Sequence, residues 1–225
     1  MKRQLGDGTF GGCGCKTAVS EFMPVISPRK MQDRSDSILD AARSAFAETG
    51  FENTSVAQIA RRAGISDGLL YRYFRNKRDL LNEVLRRFYE RTMLDLEEIA
   101  ARDMPFLDQL RDLVRRHLQT FVDDVDLCRL FFAEVRTQTD YAVSPIRQLN
   151  QRYTSIVVGI VQKAAARGEI RQGIDPRLVR DLIFGTVEHR AWSAVQGRQI
   201  DVDKTANDLV DIVMVGLQPV KQERP

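Results

Sequence analysis

The chain is poor in the side chains that most often do chemistry: its 225 residues include two histidines, three cysteines and one tryptophan. His117 and His189 stand far apart. Cys13-Gly-Cys15 is neither a Cys-x-x-Cys redox pair nor half of a zinc site, since no histidine lies near it. An odd number of cysteines without framework spacing excludes a disulfide-stapled secreted domain. No glycine-rich phosphate loop, nucleophile motif or metal-ligand cluster stands out, so no catalytic residue, metal or cofactor is expected. No run reaches the roughly eighteen apolar residues of a membrane helix. Gly6, Asp7 and Gly8 follow Lys2 and Arg3 where a signal peptide would place its apolar core, and a cytoplasmic protein is expected. Strand-like alternation is also missing over any useful length.

What the chain does have is 43% hydrophobic and 29% charged residues, enough for a sizeable core without staples. The formal net charge of +3 does not by itself call for a nucleic-acid partner. Its distribution does. Arg61, Arg62, Arg72, Arg75, Lys77 and Arg78 crowd one short stretch, with Asp67 and Asp79 as the acids nearby, and such a patch draws phosphates to an otherwise near-neutral chain.

Helical periodicity organises almost everything after residue 30. Residues 1–30 have glycines, Pro24, Pro28 and no apolar face, and are expected to form a flexible arm. Ile38, Leu39, Ala42, Ala45 and Phe46 then mark a first helix, which Gly50 ends. Thr54 or Ser55 caps a short helix carrying Val56, Ile59 and Ala60, Gly64 makes a turn, and Ser66 caps a second short helix with Leu69, Leu70 and Tyr73. Asn76 caps a long helix whose apolar stripe runs from Leu80 to Met93. Further helices are expected near 104–123, 126–138, 145–167, 176–196 and 203–217, two of them opened by Ser144-Pro145 and Asp175-Pro176. The fold class is therefore all-α, with a DNA-binding segment over 31–80 and a larger helical domain over 81–225.

The stretch Thr54–Leu81 reads as a helix-turn-helix unit, two short helices joined by a tight turn with the second offered to the DNA major groove. Thr54 can offer a hydroxyl and a backbone N–H to a phosphate, and Lys77 lies at a helix N-terminus, where charge and free N–H groups together hold one. Ser66, Asp67 and Gly68 open the second helix, whose first residues come nearest the base edges. Arg72 can touch a base or a phosphate. Asp67 is the discordant member: phosphates repel it unless it accepts from a cytosine amino group or caps the helix.

Ile38-Leu39-Asp40-Ala41-Ala42, Phe46, Gly50, Phe51, Thr54, Ile59, Ala60, Ala63, Gly64, Gly68-Leu69-Leu70-Tyr71-Arg72-Tyr73-Phe74 and Lys77-Arg78-Asp79-Leu80-Leu81 resemble the TetR (tetracycline-repressor) family of bacterial transcription regulators. The resemblance covers about fifty residues; the later helices match it only in number and length. It implies Tyr73 as a phosphate ligand. It also implies a homodimer joined by a four-helix bundle made from the last two helices of each subunit.

A dimer also suits a palindromic operator. The last helix, with Leu209, Val210, Ile212, Val213, Met214, Val215 and Leu217, is apolar almost all round and has to be covered, either by its own subunit or by a second copy. The middle helices carry aromatics with a few polar groups among them, His117, Arg136 and His189. This is the composition of a small-molecule site between helices, and His117, Phe121, Phe132, Tyr153 and Trp192 are its candidate lining. Phe184-Gly185-Thr186-Val187-Glu188-His189 resembles fatty-acid-responsive members of the family, which implies an acyl-CoA effector. The expectation is a dimeric repressor released from its operator by an apolar or amphipathic ligand, with no membrane involved. The alternative is a DNA-binding regulator without a ligand, acting constitutively, as an activator or through a protein partner.

Overall fold

A computed structural model describes residues 28–135 and 141–218. Among them are nine α-helices and no strand: α1 (Pro28–Asn53), α2 (Val56–Arg62), α3 (Asp67–Tyr73), α4 (Lys77–Ala101), α5 (Phe106–Asp123), α6 (Val125–Glu134), α7 (Pro145–Ala166), α8 (Pro176–Val195) and α9 (Val202–Leu217). The expected all-α class is what is found. Most of the expected arm, and with it Cys13 and Cys15, lies outside the described residues, as does Arg136; the helix expected over 126–138 ends at Glu134.

Local chemistry accounts for most boundaries. Gly50 takes φ 77°, a value that side chains with a Cβ resist, and bends the chain at the end of α1. Ser55 caps α2 with a reciprocal box: Gln58 N–H donates to its hydroxyl, and its own N–H donates to the Gln58 side chain at 2.7 Å. Gly64, at φ 67°, makes the turn into α3, which Ser66 caps through Leu69 N–H. Asn76 caps α4 through Asp79 N–H at 2.8 Å. Ser144-Pro145 and Asp175-Pro176 open α7 and α8 as their sequences suggest.

One hydrophobic core runs through the molecule. Ile38, Phe46, Ile59, Leu70 and Leu80 fill the head formed by α1 to α3 and the start of α4. Leu96, Leu110, Leu113, Leu118 and Ile160 fill the body. The long helix α4 belongs to both, packing on α1 at one end and between α5 and α7 at the other. A second bridge runs through α6, which packs against α1 and α8. It is fastened to the head by Arg43–Asp124 at 2.6 Å and Arg78–Glu134 at 3.2 Å. Asp124 is buried and also caps α6 through Leu127 N–H.

Candidate nucleic-acid interface and effector pocket

The short helix α3 buries Leu70 and half-buries Leu69 and Tyr73, so the opposite side is left to solvent. That side carries Asp67, Gly68, Tyr71 and Arg72, which share a face at three- and four-residue spacing, while the exposed Ser66 caps the helix. Tyr71 is 53% exposed. Ser66 is the cap, so Asp67 does not serve as one and its carboxylate stands free to meet a base edge. Tyr73 borders a groove of about 700 Å³ between this unit and the first turns of α1, lined also by Lys30, Arg34 and Gly64.

The basic patch is smaller than the sequence suggests. Arg62 forms a two-pronged pair with Glu48 at 2.8 and 2.6 Å, and Arg75 pairs with Asp79 at 2.9 Å. Each pair drives its acid's affinity for protons down and its base's up, chiefly through the hydrogen bonds between them. Arg78 lies 4.0 Å over the Phe51 ring and pairs with Glu134. Arg61 and Arg72 are exposed and have no such partner among the described residues.

Two expected phosphate ligands are occupied within the protein. The cap of α2 is Ser55, not Thr54. The Thr54 side chain turns inward, 2% exposed, with its hydroxyl 2.6 Å from Gly50 O and 2.7 Å from the Thr49 hydroxyl. Its backbone N–H donates to Phe51 O. Thr54 therefore locks the corner between α1 and α2. The Lys77 ammonium donates to Phe51 O at 2.7 Å and Glu52 O at 3.1 Å and sits 4.4 Å over the Phe51 ring. It thus neutralises the carbonyl end of α1 and fixes the angle between α1 and α4. Lys77→Ala is expected to lower thermal stability by about 1 kcal/mol through loss of these bonds, read by calorimetry. An unchanged melting temperature would show that the ammonium is not engaged there.

In the body, His117, Phe121 and Tyr153 meet around one cavity, together with Phe88 and Tyr89 of α4, Cys128 and Phe131 of α6, and Phe184 and Glu188 of α8. The enclosed space is about 30 Å³, room for roughly two water molecules. Rings fill the rest: His117 lies 4.6 Å from Phe184 and 5.1 Å from Phe121 between ring centres. Phe132 and Trp192 form a second layer, Phe132 stacking on Phe121 and Trp192 meeting Phe132 edge-on at 5.6 Å. Trp192 is half exposed at the rim. Burial keeps the His117 ring neutral, its pKa pushed down to about 3, and raises those of the Tyr153 phenol and the Cys128 thiol. Tyr89 is a lining residue that reads from the sequence simply as core, one more member of an apolar stripe, and Phe184 joins the lining from the motif on α8.

Residues 38–84 match the family model described as bacterial regulatory proteins, tetR family, and residues 103–217 match that described as tetracyclin repressor-like, C-terminal domain. The chain belongs to the TetR family. It is a DNA-binding transcriptional regulator. Among its relatives is the fatty acid metabolism regulator protein of Bacillus subtilis, 30% identical over 84% of this chain and 96% of the relative. The transcriptional repressor KstR2 of Rhodococcus jostii is 29% identical over 82% and 91%. Among solved structures, the FadR regulator of Bacillus subtilis in complex with stearoyl-CoA superposes with a TM-score of 0.74 at 26% identity, over 81% of this chain and 99% of that one. Among the described residues no helix is long and apolar enough to cross a membrane, and no cluster of metal ligands occurs.

Proposed function

We propose that this TetR-family regulator is a repressor whose segment 31–80 reads DNA through the exposed face of α3, and whose segment 81–225 binds an apolar or amphipathic effector and makes the dimer. That face carries the reading. Asp67, Gly68, Tyr71 and Arg72 stand together on the solvent side of a short helix that opens at a capped N-terminus, the arrangement by which a recognition helix enters the major groove. Tyr71 joins the set because it, rather than the half-buried Tyr73, projects from that side. Tyr73 and Arg61 flank the face and suit the phosphates on either side of the groove. Thr54 and Lys77 hold the frame that aims it.

Arg72→Ala is expected to weaken operator binding about tenfold and to reduce the salt dependence by about one counterion, with the melting temperature unchanged. Equal binding by parent and variant across a salt series would remove Arg72 from the interface. Tyr71→Phe and Tyr73→Phe assayed beside it separate the two phenols. Loss with the first alone would place the phosphate contact on the exposed ring.

The effector works through the smallness of the cavity. Ligand pockets in proteins are typically a few hundred Å³ or more. A long acyl chain therefore enters only if Phe88 and Tyr89 on α4, or Cys128 and Phe131 on α6, move apart. Both helices are tied to the head: α4 through the Lys77 clamp about 18 Å from Tyr89, and α6 through Arg43–Asp124 and Arg78–Glu134. Opening the pocket thus changes the position of the two recognition helices. Nearly complete release requires the effector to favour the open state by roughly 5 kcal/mol. The relatives named for fatty acid metabolism support an acyl-CoA in this role. Long-chain acyl-CoA added to an operator complex is expected to release the DNA, as read by gel shift.

A further inference from the structure

Among the described residues lining the effector pocket, His117 carries a buried polar atom left without a hydrogen bond. Its ring is buried among Phe121, Phe184 and Tyr153, and its Nδ1 meets the Tyr153 hydroxyl in a short hydrogen bond. The other ring nitrogen, Nε2, is buried with no hydrogen-bond partner among the described residues. A buried polar atom without a partner destabilises a protein, and on a ring that lines the cavity it is a recognition point waiting for its complement.

The proton count decides what that complement is. A neutral imidazole carries one N–H. If Nδ1 held it, the Tyr153 O–H would have no acceptor and the Nε2 lone pair no donor, leaving two groups unsatisfied. If Tyr153 donates to Nδ1, the proton lies on Nε2 and only that N–H lacks a partner. The second arrangement costs less, and it leaves a donor for a ligand to satisfy.

Charge then restricts the class of acceptor. Among the described residues that line the cavity there is no Lys or Arg, so a carboxylate would meet only a neutral donor there. We propose that the Nε2–H of His117, held in that tautomer by Tyr153, is the specificity-determining contact of the pocket, and that the effector is an apolar molecule whose uncharged carbonyl oxygen accepts from it. This rests on the cavity being the effector site. A thioester and a ketone share that chemistry. Tyr153 is a positioning residue, acting only through the imidazole.

The test uses the full-length protein labelled with ¹⁵N-histidine. In the ligand-free state the His117 ring is expected to show a protonated Nε2 and a bare Nδ1. A protonated Nδ1 overturns the proposal whatever the ligand results. Tyr153→Phe, which removes the donor to Nδ1, is expected to let the ring populate the other tautomer; a ring that stays unchanged denies Tyr153 its positioning role. Binding of palmitoyl-CoA, its thioether analogue S-hexadecyl-CoA, palmitate and androst-4-ene-3,17-dione is then measured by calorimetry in parent and His117→Phe. A thioester effector gives palmitoyl-CoA an advantage of about tenfold over the thioether, and that advantage disappears in His117→Phe. A ketone effector is shown by the steroid binding the parent and losing about tenfold in the variant. Equal binding of thioester and thioether in both proteins, or tightest binding by palmitate, overturns the carbonyl contact while leaving the cavity an effector site. No binding by any of the four to either protein removes the effector site, and the carbonyl contact with it.

Discussion

Leu182→Glu should leave each subunit folded but turn the dimer into a monomer and weaken operator binding by at least about 100-fold. Leu182 lies on α8 with its side chain 53% exposed. On that helix Leu178, Leu182, Gly185, His189 and Trp192 fall within about 80° of one another at 100° per residue, forming a stripe that the subunit itself leaves to solvent. The neighbouring α9 presents Ile212 and Val215, 72% and 73% exposed, while its opposite face, Ala206, Val210, Val213 and Leu217, packs inward. Two helices with apolar outer faces, side by side, make half of a four-helix bundle, and a two-fold axis supplies the other half from the same surfaces. A glutamate here places two uncompensated carboxylates in the covered seam, one from each copy. Burying each would cost several kcal/mol. Because the operator is held by two recognition helices at once, a monomer forfeits the multivalent gain of about 10² to 10⁴. Analytical ultracentrifugation and gel shift on the same preparation give the answer. A variant that still sediments as a dimer and binds DNA like the parent would exclude this face as the interface.

How much of this was visible in the sequence depends on how local each interaction is. Caps were visible because they act over three residues: Ser66, Asn76, Ser144 and Asp175 all do what their neighbours imply. The cap of α2 was visible only to within one residue, and the choice of Ser55 over Thr54 comes from Gln58 completing the box while Thr54 is drawn to carbonyls of α1. The basic patch was overcounted for a tertiary reason. Arg62 meets Glu48 fourteen residues away, and Lys77 meets Phe51 O across twenty-six. No periodicity reports such distances. The same holds for the phenols of α3, since which of Tyr71 and Tyr73 faces outward depends on where α1 and α2 lie. The pocket was half visible. His117, Phe121 and Tyr153 come together as expected, but Phe132 and Trp192 stand one layer out, and Tyr89 enters from a helix whose stripe reads as plain core. The last helix shows both readings at once. One face is buried by its own subunit and the other is left exposed.

The buried imidazole also sets how stability depends on pH. In the unfolded chain His117 takes up a proton near pH 6.5, whereas in the folded protein burial holds it neutral down to about 3. The unfolded state therefore binds more protons throughout the interval between these values, and stability falls as the pH drops through it. Above pH 6.5 the group exerts no such pull. From pH 7 to pH 5 this one histidine is expected to remove about 2 kcal/mol of folding stability. Carboxylates also begin to titrate toward the lower end, so the informative quantity is the difference between the parent and His117→Phe, whose ring fills the same space without a titrating nitrogen. Urea denaturation of both proteins across this range should show the parent losing about 2 kcal/mol more than the variant. Parallel pH profiles would mean that the ring protonates in the folded state, by reaching water or an acid such as Glu188. An apolar effector whose carbonyl accepts from Nε2–H should leave the slope of this profile unchanged, because the folded ring is already neutral throughout the interval.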